Sequence, residues 1–266
     1  MKVNKTIMIV LAVILAMLII PIPGLVLDIL MALNLLSALV ILLIIINTKK
    51  ATDFSSFPTI LLLSTFFGLV VNLTATRLIL TKGMNFDGRL IQAFAFFVSS
   101  FGKTGLVMDL VIDFVVFIVF IAVHLTVIVK GSVRLTEVAA RFNLDALPGK
   151  QMAIEAEYNS GEINEEENVS KKNELQREVD FFGAMDGVSK FISGNEKVRI
   201  LIILTSIVGG ILIGTVFRDE SIIVSIKTYF PLIISNGILC IIPSFLLSST
   251  AGIIITHTLG DSGGDE

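Results

Sequence analysis

Six runs of apolar residues, roughly 6–20, 25–47, 57–75, 106–129, 199–217 and 229–256, constrain this chain more than anything else in it. Each approaches, alone or with tilt, the ~20 residues a helix needs to cross a hydrocarbon core about 30 Å thick. A soluble domain of 266 residues buries one core but cannot hide six such runs, so lipid is the solvent that suits them. Inside lipid a helix satisfies its own backbone N–H and C=O groups, which makes helices the expected element. The reading is an all-α membrane protein of about six transmembrane helices with one cytoplasmic loop subdomain. Residues 1–129 would supply four spans, 130–198 the loop, 199–256 two more spans, and 257–266 a polar tail.

Composition agrees. The chain is 54% hydrophobic and 16% charged, against about 25% charged in soluble proteins, and its mean hydropathy is +0.90. A net charge of -3 argues against nucleic acid as a partner. The single cysteine, Cys240, excludes an internal disulfide and a cysteine-based metal cluster. His124 and His257 lie far apart and show no metal-binding spacing. No metal, cofactor or enzyme chemistry is expected, and no Ser-His-Asp or Cys-His arrangement can be drawn.

The basic start and apolar run of residues 1–20 resemble a signal peptide, but no small-x-small cleavage site follows. The Pro21-Ile22-Pro23-Gly24 turn leads directly into the second run, which reads as an uncleaved helical hairpin. Lys2 and Lys5 flank the start of that hairpin and Lys49 and Lys50 follow its second helix, so both ends favour the cytoplasm. Counting six spans places both termini of the chain in the cytoplasm, with the bilayer as partner. Arg77, Lys82, Arg89 and Lys103 then fall on the outer side, against the positive-inside rule. The apolar stretch 90–101 between them would lie in the interface or dip into the membrane.

Within the loop, Arg134 to Phe142 reads as a helix in which Arg134, Glu137 and Arg141 share a face, the last two in acid-first order. Pro148-Gly149 is expected to end it and start a turn. Glu162 to Glu167 reads as an acidic, mobile stretch. Leu175, Val179 and Phe182, three to four residues apart, mark an amphipathic helix returning to the bilayer. Pro231, Gly237, Pro243 and Gly252 suggest that the last apolar run is a broken helix or two short ones. Gly209-Gly210 and Gly214 would permit close helix packing.

Several titratable residues are candidates for chemistry. Asp186 reads either as a proton-relay carboxylate or as a helix-entry residue before 188–192. Lys190 and Glu196 read as interfacial partners or as relay groups. Asp109 and Asp113, one turn apart, would form a proton or cation site, or sit at the headgroup level where acids cost little. His124, deeper in the same run, suits a switch or a neutral helix–helix hydrogen bond. Pro148-Gly149-Lys150 is not a phosphate loop, because Leu144 and Gln151 occupy positions where that motif requires glycine and Ser or Thr.

The stretch Arg134-Leu-Thr-Glu137-Val-Ala-Ala-Arg141-Phe-Asn-Leu-Asp145-Ala-Leu-Pro148-Gly149-Lys150-Gln151-Met152-Ala-Ile is long and specific. It resembles the signature of the FlhA-type (FHIPEP) export-gate family of flagellar and type III secretion systems. Asp53-Phe54 before Phe57-Pro58-Thr59, and the stretches NLTATRLIL (72–80), DFFGAMDGVSKF (180–191) and IPSFLLSSTAGIIIT (242–256), agree with it. The resemblance implies a subunit of the bacterial inner membrane. It implies a homo-oligomeric ring, usually nonameric, beside other export-apparatus membrane subunits, coupling the proton-motive force to protein secretion. It assigns an interaction role to Arg134, Glu137, Arg141, Asp145, Pro148, Gly149, Lys150 and Gln151.

Family members are expected to continue into a large cytoplasmic C-terminal domain that receives exported proteins and chaperones. Its absence here implies a fragment or a shortened paralogue. The family commonly has an arginine at Gly68, an acid at Asn195 and an Asp-Gly pair at Asn236-Gly237. Loss of one basic and two acidic positions together suggests a charge network removed as a unit. Weaker proton coupling, or coupling through other acids, would follow. Two alternatives remain at this point: a paralogue with an assembly role only, and a stand-alone ion or solute transporter. The latter would be expected to show internal repeats, and none is found.

Overall fold

The Pro-Gly turn at residues 21–24 sets the first helical pair. In the computed structural model, which describes residues 5–48, 54–99 and 106–261, α1 (Lys5–Ile19) and α2 (Gly24–Ile46) flank that turn. Pro23 stands at the N-cap of α2, and its carbonyl accepts from Val26 and Leu27 N–H at 3.0 and 3.1 Å. With 15 residues, α1 is about 22 Å long, shorter than the hydrocarbon core. Next come α3 (Phe57–Lys82), the short α4 (Arg89–Ser99), α5 (Leu106–Val123), α6 (Lys130–Ser160), α7 (Glu165–Leu212) and α8 (Ile222–Asp261). Among the described residues there is no strand. Five of the helices are long and apolar enough to cross a membrane, with α1 a shorter apolar helix beside them. The expected all-α membrane architecture of about six spans is the architecture observed.

Of the four basic residues expected on the outer side, Arg77 and Lys82 are engaged at helix ends. The Arg77 guanidinium donates to the carbonyls of Leu18 and Ile19, at 3.0 and 3.2 Å, closing the C-terminal end of α1. Arg218 does the same for α3, donating to Lys82 O at 2.9 Å and to Thr81 O. Cations at helix C-termini gain from the macrodipole. Lys82 pairs with Asp87 at 2.6 Å. Lys103 lies outside the described residues. At the opposite polarity, the Asp28 carboxylate of α2 accepts from the backbone N–H groups of Arg89 and Leu90 at 2.9 and 3.1 Å, which caps α4 from a neighbouring helix. The stretch expected to lie in the interface is thus a short helix with Ile91 and Ala95 buried against the bundle.

The polar loop is a helical hairpin. Residues 106–160 form one rod, because a π-helical segment (His124–Val129) joins α5 to α6 without a break. The second arm, α7, runs for 48 residues and ends in another π-helical segment (Ile213–Phe217). Gly161, left-handed at φ 78°, makes the turn between the arms. Asn164 and Glu167 form a reciprocal capping box, with Glu167 N–H donating to Asn164 Oδ1 at 2.8 Å and Asn164 N–H to Glu167 Oε2 at 3.0 Å. Ion pairs Lys150–Glu178 (2.8 Å), Lys171–Glu157 (2.5 Å) and Lys172–Glu155 (3.3 Å) tie the arms together.

Three expectations need correction. Pro148 does not end a helix but lies inside α6. It removes one backbone hydrogen bond, yet Leu144 and Pro148 are both exposed, so the freed carbonyl faces water. The ion pair at Lys150 then holds the next turn against α7. The acidic stretch 162–167 is not a loose segment: Glu162 lies in the turn after Gly161, and Glu165, Glu166 and Glu167 form the first turn of α7, where the helix dipole favours them. The last apolar run is not divided, since α8 is a single helix of 40 residues with Pro231 and Pro243 inside it. It is packed on several sides by other helices, and Tyr229, Ile233, Ile234 and Ile255 are fully buried.

Candidate functional site: a buried Glu–Arg–His layer

Two apolar clusters fill the interior. One joins Leu27, Leu30 and Met31 of α2 to Val71–Ile79 of α3 and Tyr229–Ile241 of α8. The other joins Ala38, Ile41 and Ile45 of α2 to Phe57 and Leu61 of α3, Phe181–Ile192 of α7 and Leu247–Ile255 of α8. Where each helix passes from one cluster to the other, its buried residues turn polar or small. These are Asn34 in α2, Thr65 and Gly68 in α3, Glu196 and Arg199 in α7, and Ser244 in α8. A polar layer therefore crosses the bundle between two apolar ones.

Its centre is charged. Glu196 is 2% exposed, Arg199 3% and His124 3%. Arg199 Nη1 lies 3.2 Å from Glu196 Oε1, and His124 Nε2 lies 3.3 Å from Glu196 Oε2. The Ser244 hydroxyl donates to the same carboxylate. His124 is the first residue of the π-helical segment, a distortion that recurs at functional positions. Arg199 also donates to the Cys240 carbonyl at 2.8 Å. From there the polar contacts continue: the Cys240 thiol lies 3.6 Å from Asn236 Oδ1, and Asn236 Nδ2 donates to Asn72 Oδ1 at 2.8 Å and to Thr76 Oγ1 at 3.4 Å. Polar contacts thus run from the π-helical segment after α5 through α7 and α8 to α3.

Chemically, a carboxylate that touches an imidazole can exchange a proton with it over one hydrogen bond. Burial of an ion pair costs several kcal/mol per ion before the partners' attraction is counted. Charges retained inside a span are therefore usually tied to function. Arg199 holds Glu196 on its own helix and α8 through Cys240, so the charge state of Glu196 bears directly on the α7–α8 contact.

The other candidates from the sequence lie elsewhere. Asp186 is no helix-entry residue: it lies mid-helix in α7, paired with Lys190 one turn on at 2.7 Å. That pair faces Arg134, Glu137, Arg141 and Asp145 across a cavity of about 890 Å³ between α6 and α7. Two groups that the sequence presents separately therefore converge. Pro148, Gly149 and Gln151 are exposed along α6. Asp109 and Asp113 fall in α5, with side chains outside the described part of the structure, as is that of His257.

Of the three positions where the resemblance led one to expect a charge, Asn236 joins the hydrogen-bonded chain, and Gly68 lies against Asn34, whose amide atoms would be 3.3 Å from a Cβ there. Asn195 is buried, and its amide has no hydrogen-bond partner among the described residues. Arg199 and Ser244 escaped the sequence reading. The i, i+3 spacing of Glu196 and Arg199 was the available signal for the first; nothing local marks Ser244.

The fold and this layer define a multi-pass helical membrane protein that keeps an ionisable group between its spans. The chain belongs to the FHIPEP family, whose model matches residues 14–265. It is 50% identical over 241 residues to the flagellar biosynthesis protein FlhA of Borreliella burgdorferi, covering 91% of this chain and 34% of that protein. It is 42% identical over 245 residues to the protein of the same name in Helicobacter pylori, covering 92% and 33%. To that of Salmonella typhimurium it is 38% identical over 251 residues, covering 93% and 35%. The chain spans about a third of the length of these relatives. No solved structure matches.

Proposed function

We propose that this chain forms the membrane part of a flagellar protein-export gate in the bacterial inner membrane, and that its Glu196–Arg199–His124 layer couples proton-motive force to secretion. The observation that carries the reading is a carboxylate, 2% exposed, bridged to an imidazole on one helix and to a guanidinium that holds another. Protonation of Glu196 removes the attraction that orients Arg199, which in turn loosens its grip on the Cys240 carbonyl and on α8. A proton arriving at this layer is thereby converted into a change in how α7 and α8 pack. Kinship to flagellar proteins over nine-tenths of the chain supports the export setting, with both ends of the chain and the hairpin in the cytoplasm. The charged cavity at the hairpin base, lined by Arg134, Arg141, Asp186 and Lys190, is the surface through which copies would assemble into a ring beside other export subunits.

A chimera tests this. Residues 14–265 replace the matching third of the Borreliella burgdorferi relative, and secreted flagellin is measured. Export is expected in the chimera, to stop when the proton gradient is collapsed, and to fall at least tenfold with Glu196→Gln. Export unchanged by Glu196→Gln at normal membrane levels would overturn the coupling role, and a chimera that assembles but never exports would favour a role in assembly only.

A further inference from the structure

An open groove of about 560 Å³ runs along the outside of the bundle between α5 and α7. Phe114, Phe117 and Ile121 line one wall, and Ile200, Leu204 and Ile207 the other. Its lining is apolar apart from Thr126, whose hydroxyl donates to the Ala122 carbonyl, and from Lys130, Lys197 and Ser193 towards one end. Both lysines are exposed, and among the described residues neither has a carboxylate within ion-pairing distance. Lys150, Lys171, Lys172 and Lys190 of the same hairpin are all paired. Two free ammonium groups therefore stand at the mouth of an apolar channel, at the level where the spans pass into the polar hairpin.

We infer that this groove is a binding site for an anionic phospholipid, with an acyl chain along the α5–α7 wall and the phosphate on Lys130 and Lys197. The dimensions suit that occupant. From Ser193 to Ile207 the helix rises about 21 Å, enough for the apolar part of one leaflet, about 15 Å. The charge is also complementary. Basic pockets between spans on the cytoplasmic side recruit anionic headgroups, and the Ser193 hydroxyl adds a donor to the two ammoniums. The groove backs onto the α5–α7 pair that carries His124 and Glu196, so its filling would stiffen the contact on which that layer depends.

The test is native mass spectrometry of the detergent-purified chain with dioleoyl phosphatidylglycerol and dioleoyl phosphatidylcholine added in equal amounts. The phosphatidylglycerol adduct is expected to exceed the phosphatidylcholine adduct at least fivefold. Lys130→Gln with Lys197→Gln should bring the ratio below twofold, whereas Lys130→Arg with Lys197→Arg should preserve it. Lys150→Gln with Lys172→Gln should leave it untouched. Leu204→Trp should lower both adducts by filling the groove. Circular dichroism and melting would check that each variant keeps its helices. Equal binding of the two lipids by the unaltered chain, or a preference that survives loss of both lysines, overturns the site. So does a Leu204→Trp variant that converts an oligomer to monomer without changing lipid binding, because the groove would then belong to a second copy.

Discussion

At the scale of single residues, Glu196 and Arg199 are opposite charges buried together, with His124 and Ser244 on the same carboxylate. Removing one leaves the other charged in an interior that cannot hydrate it, at a cost of about 3–5 kcal/mol, while replacing both with apolar groups of similar volume can be nearly neutral. Arg199→Leu is therefore expected to lower the unfolding midpoint in detergent sharply. Adding Glu196→Leu to it should recover most of the loss, and two losses that simply add would contradict the pairing. Asp87 shows the contrasting case of an exposed pair. The Lys82 ammonium beside it holds its carboxyl below the usual range. A lowered carboxylate contributes stability above its unfolded value near 4 and loses it as pH falls through the folded value. Between pH 8 and 5 the pair is unchanged, and because both side chains are more than a third exposed, Asp87→Asn should cost less than about 1 kcal/mol there. Any larger acid-dependent change in that window must arise from another group.

At the scale of elements, two adjacent glycines make opposite predictions. A Cβ on Gly210 would stand 2.8 Å from Tyr229 Cβ and Cγ, whereas one on Gly209 meets nothing within 4 Å. Gly210→Ala should destabilise the bundle by about 1–3 kcal/mol, the usual cost of overpacking, and Gly209→Ala should be close to neutral. Melting of both variants in the same detergent decides it. Asp28→Ala removes the cap of α4 from a distance and should cost about 1 kcal/mol. It was at this scale that the sequence was read least well. Pro148 and Pro243 are strong stop signals in isolation, but α6 and α8 continue because tertiary partners hold the turns on either side. The acids at 165–167 look like a solvated tail until Asn164, three residues earlier than Glu167, is seen to complete a capping box.

At the scale of the whole molecule, the spans, the polar insert and the kinship were legible because twenty-residue apolar runs and a long motif leave little ambiguity. The charged layer was not. In a span such as α2, Leu and Ile on the lipid-facing side are as apolar as those inside, with Leu33, Leu36 and Leu43 exposed and Leu27, Ile41 and Ile45 buried. Hydrophobic periodicity therefore gives no inward direction, and nothing in the chain order announces that residues 124, 196 and 244 share a site. The cavity at the hairpin base yields a prediction for assembly. Arg141→Glu should reduce the ring-sized species several-fold in light scattering of the chimera while leaving its melting unchanged; an unaltered ring would remove that face from the assembly. The unbroken rod from α5 into α6 has a mechanical consequence. From Lys130 to Ser160 it extends about 45 Å, so a tilt of about 5° at the π-helical segment beside Glu196 swings the hairpin tip by about 4 Å. Were it to bend there, the segment would be a fulcrum and the hairpin a lever arm, turning a small adjustment around one buried carboxylate into a displacement as large as a side chain at the hairpin tip.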